Sequence, residues 1–345
     1  MSRKLITIST IMTLMSTSVI ADVPNVAADI SPIHSLVSRV MDGVGAPKLI
    51  VQSGASPHGY RLRPSEAKAL QDADHVFWMG EELTPWLDSA IDTLATKASV
   101  TTLLDQEGII LHDFREGALF EAHDHSAHGD DDHDDHDDHD DHKDHDDHDD
   151  HDDHDDHKDH DDHDDHDDHD DHDDHGSHDP HAWLSPENAK LWLNIIASKL
   201  SVSDPENAAT YFMNAAAGQA EIEAMIAEVK ATLKPVQGGK FVVFHDAYQY
   251  FENDFDFYAS GAISLGDSSD PSPARIEKVQ KRIRDEGIQC VLAEPQFKKG
   301  LVATVMEGSD ATASVIDPLG TELEAGPKLY TQLIKNMAKT LRNCL

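Results

Sequence analysis

The sequence predicts an α/β protein of two lobes, each a mostly parallel sheet flanked by helices, joined by a long helix and interrupted by a disordered insertion rich in His and Asp. Three observations predict it. Short apolar runs alternate with amphipathic segments over residues 22–120, and again over 240–341. A helix start signal with a 3.6-residue apolar period stands between the two series. Residues 123–178 carry no apolar periodicity at all. A chain of 345 residues is long enough for two sizeable cores.

The chain opens with Arg3 and Lys4, an apolar stretch over 5–20 diluted by Ser and Thr, and small residues ending at Ala21. That order is a secretory signal peptide over residues 1–21, too short and too polar for a membrane anchor. No Cys begins the mature chain, so a lipid anchor is not expected and the protein is exported, Gram-negative fashion, to the periplasm. Residues 26–30 and 49–51 read as buried strands, with a helix over 32–41 between them. A helix over 65–73, a strand over 75–79, a helix over 85–96 and a strand over 100–103 complete an N-terminal lobe spanning 22–185. Ser185 before Pro186 caps a linker helix over 186–202. Asp204-Pro205 opens a longer helix to 233 within the C-terminal lobe, residues 203–345. Strands over 240–244, 288–293 and 314–316 alternate there with helices over 273–285 and 329–341.

The formal charge of −40 is local. Residues 121–179 hold 32 acids and two Lys, a net of −30, which leaves about −10 for everything else. Such a chain repels phosphates, so nucleic-acid binding is excluded. Two cysteines, Cys290 and Cys344, lie in an oxidising compartment and are expected to form one disulfide. It would pin the last helix to a buried strand and stabilise the fold by roughly 4 kcal/mol through loop closure. With no Cys-x-x-Cys, a thiolate metal site is not expected.

Histidines outside the insertion are few. His58 lies in GASPHGYRLRPSE just past a strand, His181 in DPHAWLSPE just before a helix, and His245 in FVVFHDAYQYF at the carboxyl end of an apolar strand. Ligands of open parallel sheets bind beyond the carboxyl ends of strands. Three neutral imidazoles meeting there suit zinc, although imidazole also accepts copper and nickel. A lone His at a strand end is more often structural, so spacing by itself leaves the matter open. His34 and His75 sit beside core runs, and Trp78, Trp86, Trp183 and Trp192 read as packing residues.

The series GASPHGYRLRPSEAKALQDADHVFWMG, DPHAWLSPENAK, FVVFHDAYQYFE, CVLAEPQF and IDPLG resembles the motifs of the periplasmic zinc-binding receptors of ABC-type zinc uptake systems. The resemblance covers essentially the whole mature chain and includes an acidic, His-rich insertion between the first two motifs. It implies two α/β lobes joined by a long helix, zinc bound in the crevice as cargo, and delivery to an inner-membrane permease. It places His58, His181 and His245 on the family's three metal-binding histidines. Some members carry an acid just before the first of these; here Pro57 stands there. Asp317, in IDPLG, is then a candidate fourth ligand, with a water or a tract His as alternatives. Cys290 and Cys344 match the disulfide of part of the zinc branch, and His245 stands where manganese receptors have a carboxylate. Glu294, after a buried strand, could hydrogen-bond a ligand imidazole.

Within the tract, His133, His136, His139, His142, His145, His148, His151, His154, His157, His160, His163, His166, His169, His172 and His175 recur every third residue, each flanked by acid. That period fits one edge of a polyproline II helix and not an α-helix. His-rich tracts bind divalent cations, but a disordered chain loses entropy each time it wraps one. The tract is therefore expected to hold weaker, exchangeable zinc beside one tight site. The expected function is zinc capture and delivery by a monomeric, non-enzymatic, non-membrane-spanning receptor. The alternatives are a metal-storage protein dominated by the tract and a zinc hydrolase using Glu294 or Asp317 as base.

Overall fold

The structure, a computed structural model, describes residues 23–115, 120, 178–264, 271–296 and 299–345. The expected signal peptide and the tract histidines His133 to His175 lie outside the described residues. The first sheet is built from β1 (Val26–Ala28), β2 (Lys48–Leu49), β3 (His75–Trp78) and β4 (Ser99–Thr102), with α1 (Ser31–Val40), α2 (Pro64–Gln71) and α3 (Pro85–Leu94) between them. Two long helices follow, α4 (Pro186–Ser203) and α5 (Ala208–Leu233). The second sheet holds β5 (Phe241–His245), β6 (Ala262–Ser264), β7 (Cys290–Ala293) and β8 (Thr312–Val315), with α6 (Gln249–Phe255), α7 (Pro273–Glu286), α8 (Lys299–Met306) and α9 (Leu329–Cys344).

Both sheets are wholly parallel, and their orders, β2-β1-β3-β4 and β6-β5-β7-β8, are the same topology twice. No repeat is visible in the sequence outside the tract. Alternation along each strand sends side chains to two different cores. Val26 and Ala28 of β1, with Phe241 and Val243 of β5, join one continuous core that also takes in α1, α4, α5 and α9. Ala27, Val76 and Trp78 face α2 and α3 on the far side of the first sheet, while Val242, Phe244 and Val291 face α7 and α8 behind the second.

Local chemistry explains most ends. Ser185 Oγ accepts the Asn188 N–H at the start of α4, and Ser272 Oγ accepts the Arg275 N–H at the start of α7. Gly287 ends α7 at φ +64°, a left-handed conformation that suits glycine. The helix expected from residue 65 begins at Pro64, because Glu66 turns back onto the Arg63 N–H. The helix expected from Asp204-Pro205 begins at Ala208, because Asp204 is occupied by the Asn207 side chain and the Tyr211 hydroxyl. Helices α6 and α8 and strand β6 were not expected from the sequence. Cys290 and Cys344 are bonded, with Cα atoms 5.6 Å apart, and so join β7 to the end of α9.

His34 and His75 are both buried in the first half of the chain, His34 against the Pro47 carbonyl and His75 against the Ser203 hydroxyl. Burial holds both rings below the ordinary imidazole value of 6.5. His75 Nδ1 has no hydrogen-bond partner, so a proton there would add an unsatisfied N–H to the interior. Both rings stay neutral in the fold while the unfolded chain protonates. Their stabilisation is therefore full above pH 6.5 and is lost as pH falls below it. Metal-free wild-type protein should lose more stability between about pH 7 and about pH 5 than a His34→Gln, His75→Gln double variant. Thermal melts at the two pH values check this; parallel losses would contradict it.

Candidate metal centre

Each sheet reverses its strand order beside its first strand, and that switch point leaves a crevice beyond the carboxyl ends. In the first sheet Asp29, following β1, bridges the crevice by accepting the N–H groups of Ile30 and Met79. Complete burial pushes its carboxyl up to about 7. In the second sheet the corresponding places hold His245, the last residue of β5, and Glu294, just past β7. His245 Nδ1 meets Glu294 Oε1 at 2.6 Å, and the other Glu294 oxygen accepts from Gln296 at 2.8 Å.

His181 precedes a single 3₁₀ turn, Ala182–Leu184, that leads into α4. Asp179 folds back on it, taking both its backbone N–H at 3.0 Å and its ring Nδ1 at 2.6 Å. With a carboxylate on each Nδ1, both rings carry their proton there and turn Nε2 outward as a lone pair. The two Nε2 atoms lie 3.4 Å apart. Nitrogens on a tetrahedral zinc at the usual bond length of about 2.0–2.1 Å are separated by about 3.3–3.4 Å. His58, half-buried on the loop after β2, brings its ring centroid within 5.5 Å of that of His181. Ligand atoms of His58, His181 and His245 all fall within 4.8 Å of one another. Among the described residues no other group of three or more His, Cys, Asp or Glu converges so.

Asp317 does not join this group. One of its oxygens accepts the N–H groups of Leu319 and Gly320, and the other takes the N–H and hydroxyl of Thr321. It builds the turn that carries the Leu319-Gly320 pair.

Residues that sequence reasoning passed over surround the three rings. Asp179 stands inside the DPHAW motif, two places before its histidine, and that i, i+2 spacing is the signal that could have found it. Asp246 follows His245 and, with Glu252 of α6, receives the Arg115 guanidinium. Burial holds the Asp246 carboxyl above the ordinary carboxylate value, with Arg115 opposing the rise. The Arg115 plane also lies 3.6 Å from the Phe120 ring centroid. Nearby, Asp113 and His178 pair in a β-bridge, which brings the chain on either side of the insertion together.

The chain matches the family of the periplasmic zinc-uptake complex component A (ZnuA) over residues 26–344. The high-affinity zinc uptake system protein ZnuA of Brucella abortus is 49% identical over 320 residues, covering 93% of this chain and 91% of that protein. Its namesake from Paracoccus denitrificans is 45% identical over 326 residues, covering 94% and 93%. A crystal structure of ZnuA matches at a TM-score of 0.68 and 18% identity, covering 94% of this chain and 99% of that one, a likeness of fold. The chain belongs to the ZnuA family of periplasmic zinc-uptake components.

Proposed function

We propose that this protein captures zinc in the periplasm on His58, His181 and His245 and hands it, as a monomer, to the inner-membrane permease of an ABC-type importer. The observation that carries the reading is the 3.4 Å separation of two outward Nε2 atoms, each opposite a carboxylate-bound Nδ1. Zinc is the cargo, and a water completes its coordination: pulling Asp317 onto the ion would orphan three backbone N–H groups. The two sheets act as lobes on either side of the ion, with 186–202 as the linker between 22–185 and 203–345. Among the described residues no helix is long and apolar enough to cross a membrane. A hydrolase would need a free general base. Glu294 is engaged by His245 and Gln296, and Asp317 by its own turn, so neither carboxylate suits that work.

The tract is accessory in this reading, a gatherer of weaker zinc. Since the Asp179 N–H donates to the His112 carbonyl at 2.7 Å, residues 123–178 can be excised without removing that contact between the chain on either side of them. Zinc titration against a chelator should show one tight equivalent in both proteins and further weak equivalents only in the full-length chain. Loss of the tight equivalent on excision would refute the division of labour, and many equal weak sites without a tight one would favour storage.

A further inference from the structure

The three imidazoles are not held alike. His245 ends a strand and His181 leads into a helix, whereas His58 sits on an irregular loop between β2 and α2. Its neighbour in sequence is Pro57, which is buried. The Pro57 carbonyl accepts the indole N–H of Trp86, on α3, at 2.7 Å. The Trp86 ring in turn lies 5.6 Å from that of Tyr60, and the Tyr60 hydroxyl donates to Glu66 on α2 at 2.8 Å. Glu66 is itself buried and fixed to the Arg63 N–H. Two helices thus grip the residues on both sides of His58.

The covalent geometry makes the first of these grips effective. The Pro57 carbonyl and the His58 N–H belong to one rigid, planar peptide unit. The pyrrolidine ring fixes φ of Pro57 and restricts the residue before it. A hydrogen bond to that oxygen therefore orients the plane from which the His58 Cα departs, and little beyond φ and the side-chain torsions of His58 is left to settle.

We propose that Trp86, acting through Pro57, is a positioning residue for the His58 ligand and sets how tightly the centre holds zinc. It touches no metal. By ordering the loop before the ion arrives, it removes part of the entropy that a loop-borne ligand loses on binding. The proposal rests on the three-histidine centre being the zinc site.

The test uses the full-length chain and zinc alone. Trp86→Phe keeps a ring against Tyr60, removes the N–H donor and gives up part of the indole's volume, a packing loss that the control below accounts for. It should weaken tight zinc binding about tenfold, the lower end for loss of a supporting partner. Pro57→Ala should do likewise, and the double variant should cost less than the product of the two, because both act on one peptide plane. Cobalt substituted for zinc should show altered visible band intensities in Trp86→Phe, which report changed coordination. Leu87→Ala is the control: Leu87 is fully buried on the same helix and faces the outer core. It should lower the melting temperature and leave zinc affinity unchanged. Wild-type affinity and cobalt spectrum in Trp86→Phe would overturn the proposal, as would an equal loss of affinity in Leu87→Ala, which would reduce the effect to general stability. Absence of tight zinc from the wild-type chain would instead sink the centre itself.

Discussion

His245→Ala should lower tight zinc affinity by more than the roughly 10–100-fold that loss of a supporting residue costs. The reason is geometric. His245 Nε2 faces His181 Nε2 at a tetrahedral spacing, so its removal leaves one buried nitrogen and a loop-borne ring to hold the ion. Glu294→Gln offers a graded comparison. The amide oxygen keeps an acceptor opposite His245 Nδ1 but not the charge that raises the imidazole's basicity, so the loss should lie within that 10–100-fold range. Competition with a chelator of known affinity measures both. An unchanged constant in His245→Ala would mean that zinc is held elsewhere, and the tract histidines would be the next place to look. The Glu294 variant should also keep its fold in the absence of metal, because an uncharged amide is easier to bury than a carboxylate.

Trp192→Ala should be the most damaging single change to the fold, at about 3–5 kcal/mol, the usual cost of emptying a large aromatic site. Trp192 is fully buried on α4 in the core shared by both sheets, and its indole N–H donates to the Leu103 carbonyl just past β4 at 3.0 Å. Truncation would leave both a cavity and an unpaired carbonyl. The neighbouring Leu191, 38% exposed, is the contrast, and its change to Ala should stay within about 0.5 kcal/mol. Denaturant melts of the metal-free proteins separate the two. Zinc at about 100 times its dissociation constant should return roughly 2.7 kcal/mol to the damaged variant, because only the folded chain gathers the three rings. Similar midpoints for the Trp192 and Leu191 variants would show that the shared core does not depend on this ring.

The two sheets were legible in the sequence because their inner strands, β1, β3, β5 and β7, are short, mainly apolar runs, as burial on both faces demands. Helices α4 and α7 were legible from Ser185-Pro186 and Ser272-Pro273, whose caps the structure contains. Helix α6 was not: Gln249–Phe255 is seven residues of mixed aromatic and polar character, too short to show a period. Strand β6 has only three residues. The doubled topology escaped notice because it resides in strand order, which the residues of any one strand do not encode. At the candidate centre His58, His245 and Glu294 stood near strand ends, where ligands gather, but it was the resemblance to zinc receptors that singled out the three histidines. The pairing of Arg115 with Asp246 spans 131 positions and has no local signature. Trp86 was read as a packing residue, and what the sequence could not show is that its N–H reaches Pro57.

The bridge between Asp113 and His178 bears on how this chain can vary. Because the two stems meet, none of the contacts among the described residues fixes how many residues run between them. For a flexible loop, doubling the length costs only about 0.6 kcal/mol in closure entropy. A change in triplet number is therefore expected to cost the fold little, whatever the tract itself does.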